Sequence, residues 1–463
     1  MAINNTVLGK LFSKILSDIV PTEEEIADVS EYSNELMGRL KAVMPKDVEI
    51  ILAGSVARGT QIRGKSDIDI FLLFPKYLSE REMESKALEL SKKVVSKAKG
   101  EHYEINYAEH PYLKLINEKR LISADIVPAF KIRDSSERAS AVDRTQLHNI
   151  FVLENLNKKQ KDDVRVLKYL LQRHNIYGAE SSKHAFSGYL CELLIAHYGS
   201  IIKLLEAVSI TKMPLFIDVK NNIELSGEAI DKEKTKKFNA PLIVIDPTDS
   251  NRNVAASVSE ESISRLILIS RMLLEKPNLK TFYGYKYSEN ESVSGLDKFL
   301  KSTGLEIDSL CFKLSKISED TLWPQLKKLK NRIEIEATNN GFSQVLSFSR
   351  IEDGLGVIAF LHDEHKMHTR KIIGPEITIK NASSEFIKKH SGSMKITVEG
   401  KRLAAIEKSR YTDVNDMLTK LLKGKAFKFT SDIKKSSCSL YSKDVPEQYK
   451  LIIYHGLVEK LNI

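Results

Sequence analysis

The eight residues Asp67–Phe74, reading DIDIFLLF, limit what this chain can fold into more than any other stretch. Isoleucines alternate with two aspartates and run into an apolar block ended by Pro75, the pattern of a strand with one face in a core. Side chains on a strand point to alternate faces, so Asp67 and Asp69 share one face with Cα atoms about 6.6 Å apart. A solvated edge strand would leave such a pair without meaning, but the Ile70–Phe74 run marks a buried strand, where two unpaired aspartates are costly. At that spacing two carboxylates can jointly hold a pair of Mg²⁺ ions about 3.5–4 Å apart, as in two-metal phosphoryl transfer.

The preceding stretch GTQIRGKS, Gly59–Ser66, spells G-x-x-x-x-G-K-S and competes for attention. A phosphate-binding loop of that type needs a strand entering its first glycine and a helix starting at its Lys-Ser pair. Here a β-rich run follows Lys65-Ser66, and SVAR separates the upstream strand DVEIILAG (Asp47–Gly54) from Gly59. The motif therefore reads as a connecting loop. Gly54-Ser55 is the better phosphate site: it closes a strand, and Ser55 is expected to cap a short helix, aiming N–H groups and a hydroxyl at a phosphate. Arg58, one turn on, adds a charge-assisted contact. A third carboxylate is offered by Asp125 in ISADIVPAF. Alone it reads as a paired core or turn aspartate; beside Asp67 and Asp69 it is the natural third ligand.

At 463 residues the chain exceeds one core, and two to four domains are expected. Helical patterning over residues 5–45 gives way to a mixed sheet over 45–133, then to a mainly helical stretch from Asp143 to about Leu274. A hairpin is expected around Asp353-Gly354. The fold class is α+β, with a catalytic head (1–142), a helical neck (143–274), an α/β body with antiparallel strands (275–380) and a basic tail (381–463). That tail holds 16 Lys and Arg against 9 Asp and Glu, so +7 of the chain's +9 lies there. Such a basic end suits a polyanion such as RNA, or is simply a solvated lysine-rich surface. No apolar run approaches the ~18 residues of a membrane span. The N-terminal residues lack the pattern of a signal peptide, and Cys191, Cys311 and Cys438 suggest neither a metal knuckle nor a disulfide framework. No membrane partner and a cytoplasmic setting are expected.

The ordered series AGSVARGT, SDIDIFLLF and ADIVP resembles the nucleotidyltransferase superfamily of DNA polymerase beta and the poly(A) polymerases. YAEHPYLKLI, SAVDRTQLH, NIYGAE, AFSGYLCELLI, VIDPTDSNRNVAASVS and LWPQLKKL further resemble the archaeal (class I) CCA-adding enzymes, a family of tRNA nucleotidyltransferases. The resemblance implies a polymerase-beta-like head and template-independent addition of C, C and A to the 3′ end of tRNA from CTP and ATP, with two Mg²⁺ ions. It implies that Asp67, Asp69 and Asp125 are the catalytic metal ligands. Many relatives carry Glu at the first of these positions; Asp67 keeps the charge with a shorter reach. The same resemblance implies that Gly54, Ser55, Arg58, His148, Lys168 and Tyr177 bind the nucleotide's phosphates and that Arg252 reads its base, a fork of donors suited to the acceptors of C or A. Read without the family, Lys168 is a helix-boundary lysine, His148 a core histidine, Tyr177 a packing residue and Arg252 part of a turn. The implied partner is tRNA, held by its acceptor and T stems; the oligomeric state stays open, a homodimer included. The competing functions are another terminal RNA polymerase making poly(A) or oligo(U), and a non-catalytic RNA-binding relative.

Overall fold

The computed structural model describes residues 2–461 other than 65–66, 108, 179–183, 231–235, 285–291, 315–316, 318, 343–345, 364–365, 425–426 and 443. Lys65 and Ser66 of the G-x-x-x-x-G-K-S stretch thus lie outside the described residues. The chain divides into two compact units, Met1–Gly284 and Tyr285–Asn462.

The first unit opens with helices α1 (Ala2–Ile19) and α2 (Glu23–Val43). Thr22 caps α2 by accepting from Glu25 N–H while the Glu25 carboxylate accepts from Thr22 N–H, a reciprocal box that fixes the helix start. Strand β1 (Glu49–Ala53) leads into a single-turn helix α3 (Gly54–Arg58), and β2 (Asp67–Phe74) follows the loop. Helix α4 (Glu80–Lys93) is boxed in the same way by Ser79 and Glu82. Strands β3 (Glu101–Tyr107), β4 (Pro111–Asn117) and β5 (Ile122–Phe130) complete a five-stranded sheet of order β1-β2-β5-β4-β3. Only the β2–β5 pair in it is parallel. Period-two alternation decides its two faces. Ile68, Ile70, Leu72, Leu113, Leu115 and Ile126 pack with Leu36 and Leu40 of α2 and Met83 and Ala87 of α4, leaving the aspartates on the opposite face.

Helices α5 (Thr145–Asn155), α6 (Lys158–Arg173), α7 (Gly188–Tyr198) and α8 (Ile201–Ile210) then build a second core. Leu8, Phe12, Ile15 and Ile19 of α1 belong to this core, so the N-terminal helix packs with the neck and not with the head sheet. The stretch expected to be mainly helical also holds a four-stranded sheet. Its strands are β6 (Leu215–Asp218), β7 (Ile223–Ser226), β8 (Leu242–Asp246) and β9 (Asp249–Asn253), in the order β7-β6-β8-β9. Four- and five-residue strands are too short for a period to declare itself against the helical flanks.

In the second unit, the hairpin around Asp353-Gly354 is present between β11 (Leu346–Glu352) and β12 (Leu355–His362). Both turn residues take positive φ, 50° and 73°, as a tight two-residue hairpin requires. With β10 (Glu306–Lys313) and β16 (Cys438–Tyr441) they form a sheet of order β11-β12-β10-β16. The basic C-terminal residues are not an appendage: Tyr449, Ile453 and Leu457 of the last helix share a core with Val357, Ala359 and Leu361 of β12. A separate three-stranded sheet joins β13 (Thr369–Glu376), β15 (Arg402–Lys408) and β14 (Lys395–Glu399) in that order.

Candidate active site

The three expected carboxylates share one face of two paired strands. β2 and β5 run parallel with Asp69 opposite Asp125 and Asp67 opposite Ser123, so both pairs lie on the open face of the head sheet. Asp67 is exposed and accepts a hydrogen bond from Ser123 Oγ at 2.5 Å. Asp69 and Asp125 are half-buried, and Asp125 Oδ1 is shut off from solvent with no hydrogen-bond partner. Burial, then the Asp125 charge, push the Asp69 carboxyl up to about 6. Burial likewise raises Asp125, against the opposing Lys114 charge. Three oxygen donors held together at this electrostatic cost, one with an orphaned oxygen, fit hard divalent cations.

Gly54 shows how tightly this corner is built. Its φ is +68°, and a Cβ placed there would lie 1.7 Å from Asp69 Oδ2. Only glycine lets the end of β1 pass under the carboxylate. Ser55 does not cap α3 as expected. The helix already begins at Gly54 with Ala53 at the cap position, and no side chain caps it, so Ser55 sits inside the first turn. Gly59 is the left-handed residue that ends α3, which gives the first glycine of G-x-x-x-x-G-K-S a purely structural duty.

The remaining expected contacts fall into two linked clusters. Arg58 is buried; its Nη1 donates to Glu192 Oε2 at 2.7 Å and its Nε to Asn149 Oδ1 at 3.1 Å. Lys168 is also buried, with Nζ 3.0 Å from Thr60 Oγ1 and 3.5 Å from Glu192 Oε1. Neither cation stands free: both are tied to Glu192, whose carboxyl they hold below its usual range despite burial. Tyr177 is half-buried, and a methyl at Gly188 would meet its hydroxyl at 3.1 Å and Lys168 Nζ at 3.6 Å, so both groups flank one glycine.

The second cluster centres on Asp246, at the end of β8. Its Oδ2 lies 2.9 Å from His148 Nε2 and accepts from Arg252 Nη1 at 2.8 Å, while Oδ1 accepts from Thr248 N–H and, at 3.3 Å, from Tyr189. These donors hold the Asp246 carboxyl far below its usual range although burial opposes them. His148 is lowered by its own burial, which outweighs Asp246. Arg252, expected on a turn, lies on β9 and keeps a partly open guanidinium. Tyr189 joins the clusters: its ring stacks on His148 with centroids 4.0 Å apart, and the Arg58 guanidinium lies 5.6 Å from the ring centre on a cation–π contact.

Glu192, Asp246, Tyr189 and Asn149 were not among the residues expected from sequence. Asp246 had a signal, a carboxylate six positions before Arg252 at the end of an apolar run. Glu192 had a weaker one, an acid inside the apolar helix GYLCELLIAHY. Among the described residues, the group of three possible ligand atoms that lie within 4.8 Å of one another is Glu80, Glu84 and His110, not the three aspartates. There, however, His110 Nδ1 simply meets Glu84 Oε1 at 2.9 Å, a contact that needs no ion.

Comparison with known proteins places the chain in a family. Residues 34–148 match the nucleotidyltransferase domain, residues 162–283 the second domain of tRNA nucleotidyltransferase, and residues 303–441 the C-terminal domain of CCA-adding enzyme. The CCA-adding enzyme of Methanocaldococcus jannaschii is 31% identical over 90% of this chain and 91% of its own. That of Methanosarcina acetivorans is 32% identical over 82% of this chain and 81% of its own, and that of Archaeoglobus fulgidus 34% over 70% and 69%. With its carboxylate face, its neck and its C-terminal unit each matched in order, this chain belongs to the family of archaeal CCA-adding enzymes.

Proposed function

We propose that this protein adds C, C and A to the 3′ end of tRNA from CTP and ATP without a nucleic-acid template. The observation that carries the chemistry is the pairing of Asp69 with Asp125 across the parallel β2–β5 ladder, with Asp67 two residues away on the same face. Asp67, Asp69 and Asp125 are the residues that would hold two Mg²⁺ ions. When bound, such ions make the attacking hydroxyl more acidic and neutralise the triphosphate. The terminal 3′-oxygen forms a bond to the α-phosphorus, the bond to the β-phosphate oxygen breaks, pyrophosphate leaves, and the hydroxyl proton passes to solvent. Gly54 and Ser55 lie beside Asp69, where the first-turn N–H groups of α3 can meet the phosphates.

The clusters around Glu192 and Asp246 supply the nucleotide pocket in this reading. Lys168 and Tyr177 flank Gly188 as the triphosphate-binding side, and Arg58 contributes its charge beside Asp69 from a fixed position. Asp246 aims Arg252, whose outer nitrogens are left for the base edge, and orients His148 through the same carboxylate. The acceptor and T stems would lie on the basic C-terminal unit, recognised by backbone and shape as A-form helices are. Incubation with tRNA lacking CCA, CTP and ATP, followed by 3′-end sequencing, tests the function. Ends reading CCA are expected; a homopolymer tail of A or U would overturn it.

A further inference from the structure

Strand order fixes the side from which the attacking RNA must come. Across the head sheet the order is β1, β2, β5, β4, so the Gly54-Ser55 turn, Asp69, Asp125 and β4 follow one another. Phosphoryl transfer places the attacking and leaving oxygens in line, on opposite sides of phosphorus. With the triphosphate at the β1 end, the 3′-hydroxyl lies toward β5 and β4. The β4 residue in register with Asp125 is Lys114, and directly opposed residues share a face. Its charge is felt by both Asp125 and Asp69, and among the described residues its ammonium makes no hydrogen bond or ion pair.

One row further along, Asp67, Ser123 and Ile116 are in register, and a cleft of about 470 Å³ opens beside them. Leu121 lines it from the turn before β5. This leucine is 87% exposed and has φ +55°, a left-handed conformation that branched and bulky residues avoid. Neither burial nor the turn itself favours leucine there, whereas an apolar surface for a nucleobase does.

We propose that the terminal nucleotide of the growing RNA sits in this cleft, its base against Leu121 and Ile116 and its backbone phosphate on Lys114. The assignment deepens the nucleotidyl-transfer reading and rests on it. The test measures KM separately for ATP and for tRNA ending in CC, with the full-length protein. Lys114→Met, which keeps the apolar stem, raises the RNA KM about tenfold and leaves the ATP KM within about twofold, and Lys114→Arg restores it. The salt dependence of kcat/KM for RNA becomes shallower by about 0.7 in log–log slope, the loss of one single-strand phosphate contact. Leu121→Gly relieves the backbone and keeps the thermal midpoint, yet raises the RNA KM about threefold. An effect of Lys114→Met on ATP instead of RNA, or none on either, overturns the assignment, as does an unchanged RNA KM in Leu121→Gly. A wild-type protein that extends no RNA would instead refute the underlying reading.

Discussion

Asp69 ties stability to function in opposite directions, and Asp69→Asn measures the conflict. Burial and two neighbouring carboxylates raise its folded-state pKa to about 6, against an unfolded value near 3.9. A raised carboxyl stabilises the fold fully below the unfolded value and loses that contribution as pH rises through 6. The shift is about two units, so at pH 8 without metal the wild-type protein forgoes about 3 kcal/mol. Asparagine has the same shape and no charge. Asp69→Asn is therefore expected to abolish nucleotide incorporation while raising the unfolding free energy of the first unit by up to about 3 kcal/mol at pH 8 in EDTA. The gap should narrow as pH falls from 6 and vanish below about 4, where aspartate is protonated in both states. Urea unfolding at pH 8, 6 and 4 reads it directly, with Mg²⁺ added in parallel: the cation should stabilise wild type and do less for the variant. Asp69→Asn no more stable than wild type at pH 8, or a gap indifferent to pH, would refute the reasoning.

Three other substitutions probe other parts of the site. Gly54→Ala puts a methyl 1.7 Å from Asp69 Oδ2, so the carboxylate must shift; single-turnover incorporation should fall about a hundredfold, the cost of misplacing a reacting group by about 1 Å. Asp246→Ala removes the shared partner of His148 and Arg252; chemical unfolding should show a loss of about 3–5 kcal/mol, and competition assays should show CTP losing ground to UTP. Lys65→Ala should leave turnover within about twofold of wild type, because a β-strand and not a helix begins at Asp67; abolished activity would revive the phosphate-loop reading of Gly59–Ser66.

What could be read from the sequence was whatever a local period encodes. Asp67 and Asp69 alternate with Ile68 and Ile70, so their shared face followed from strand geometry, and Asp125 followed from a second β-rich run. The register that sets Asp69 against Asp125 is a tertiary fact, but the resemblance to a known family had already joined them. The partners of the cations were illegible for a physical reason. Glu192 is 132 residues from Thr60 and 134 from Arg58, and His148 is 98 from Asp246, so no window of sequence contains both ends of a bond. Ser55 was misread because α3 starts two residues earlier than a serine cap would place it, at Gly54 beneath Asp69.

The buried knot around Glu192 has a mechanical consequence. Arg58 comes from α3, Thr60 from the loop after it, Lys168 from α6 and Glu192 from α7, so one carboxylate fastens the corner that carries Gly54 to the helices of the second core. Opening a hinge between them would strand charges in a dry interior, a penalty of several kcal/mol. The nucleotide pocket proposed there must then behave as a stiff gauge. On the proposed reading, successive additions of different bases are set by where each lengthened RNA end comes to rest in the gauge, with the protein as the fixed reference and the RNA as the moving part.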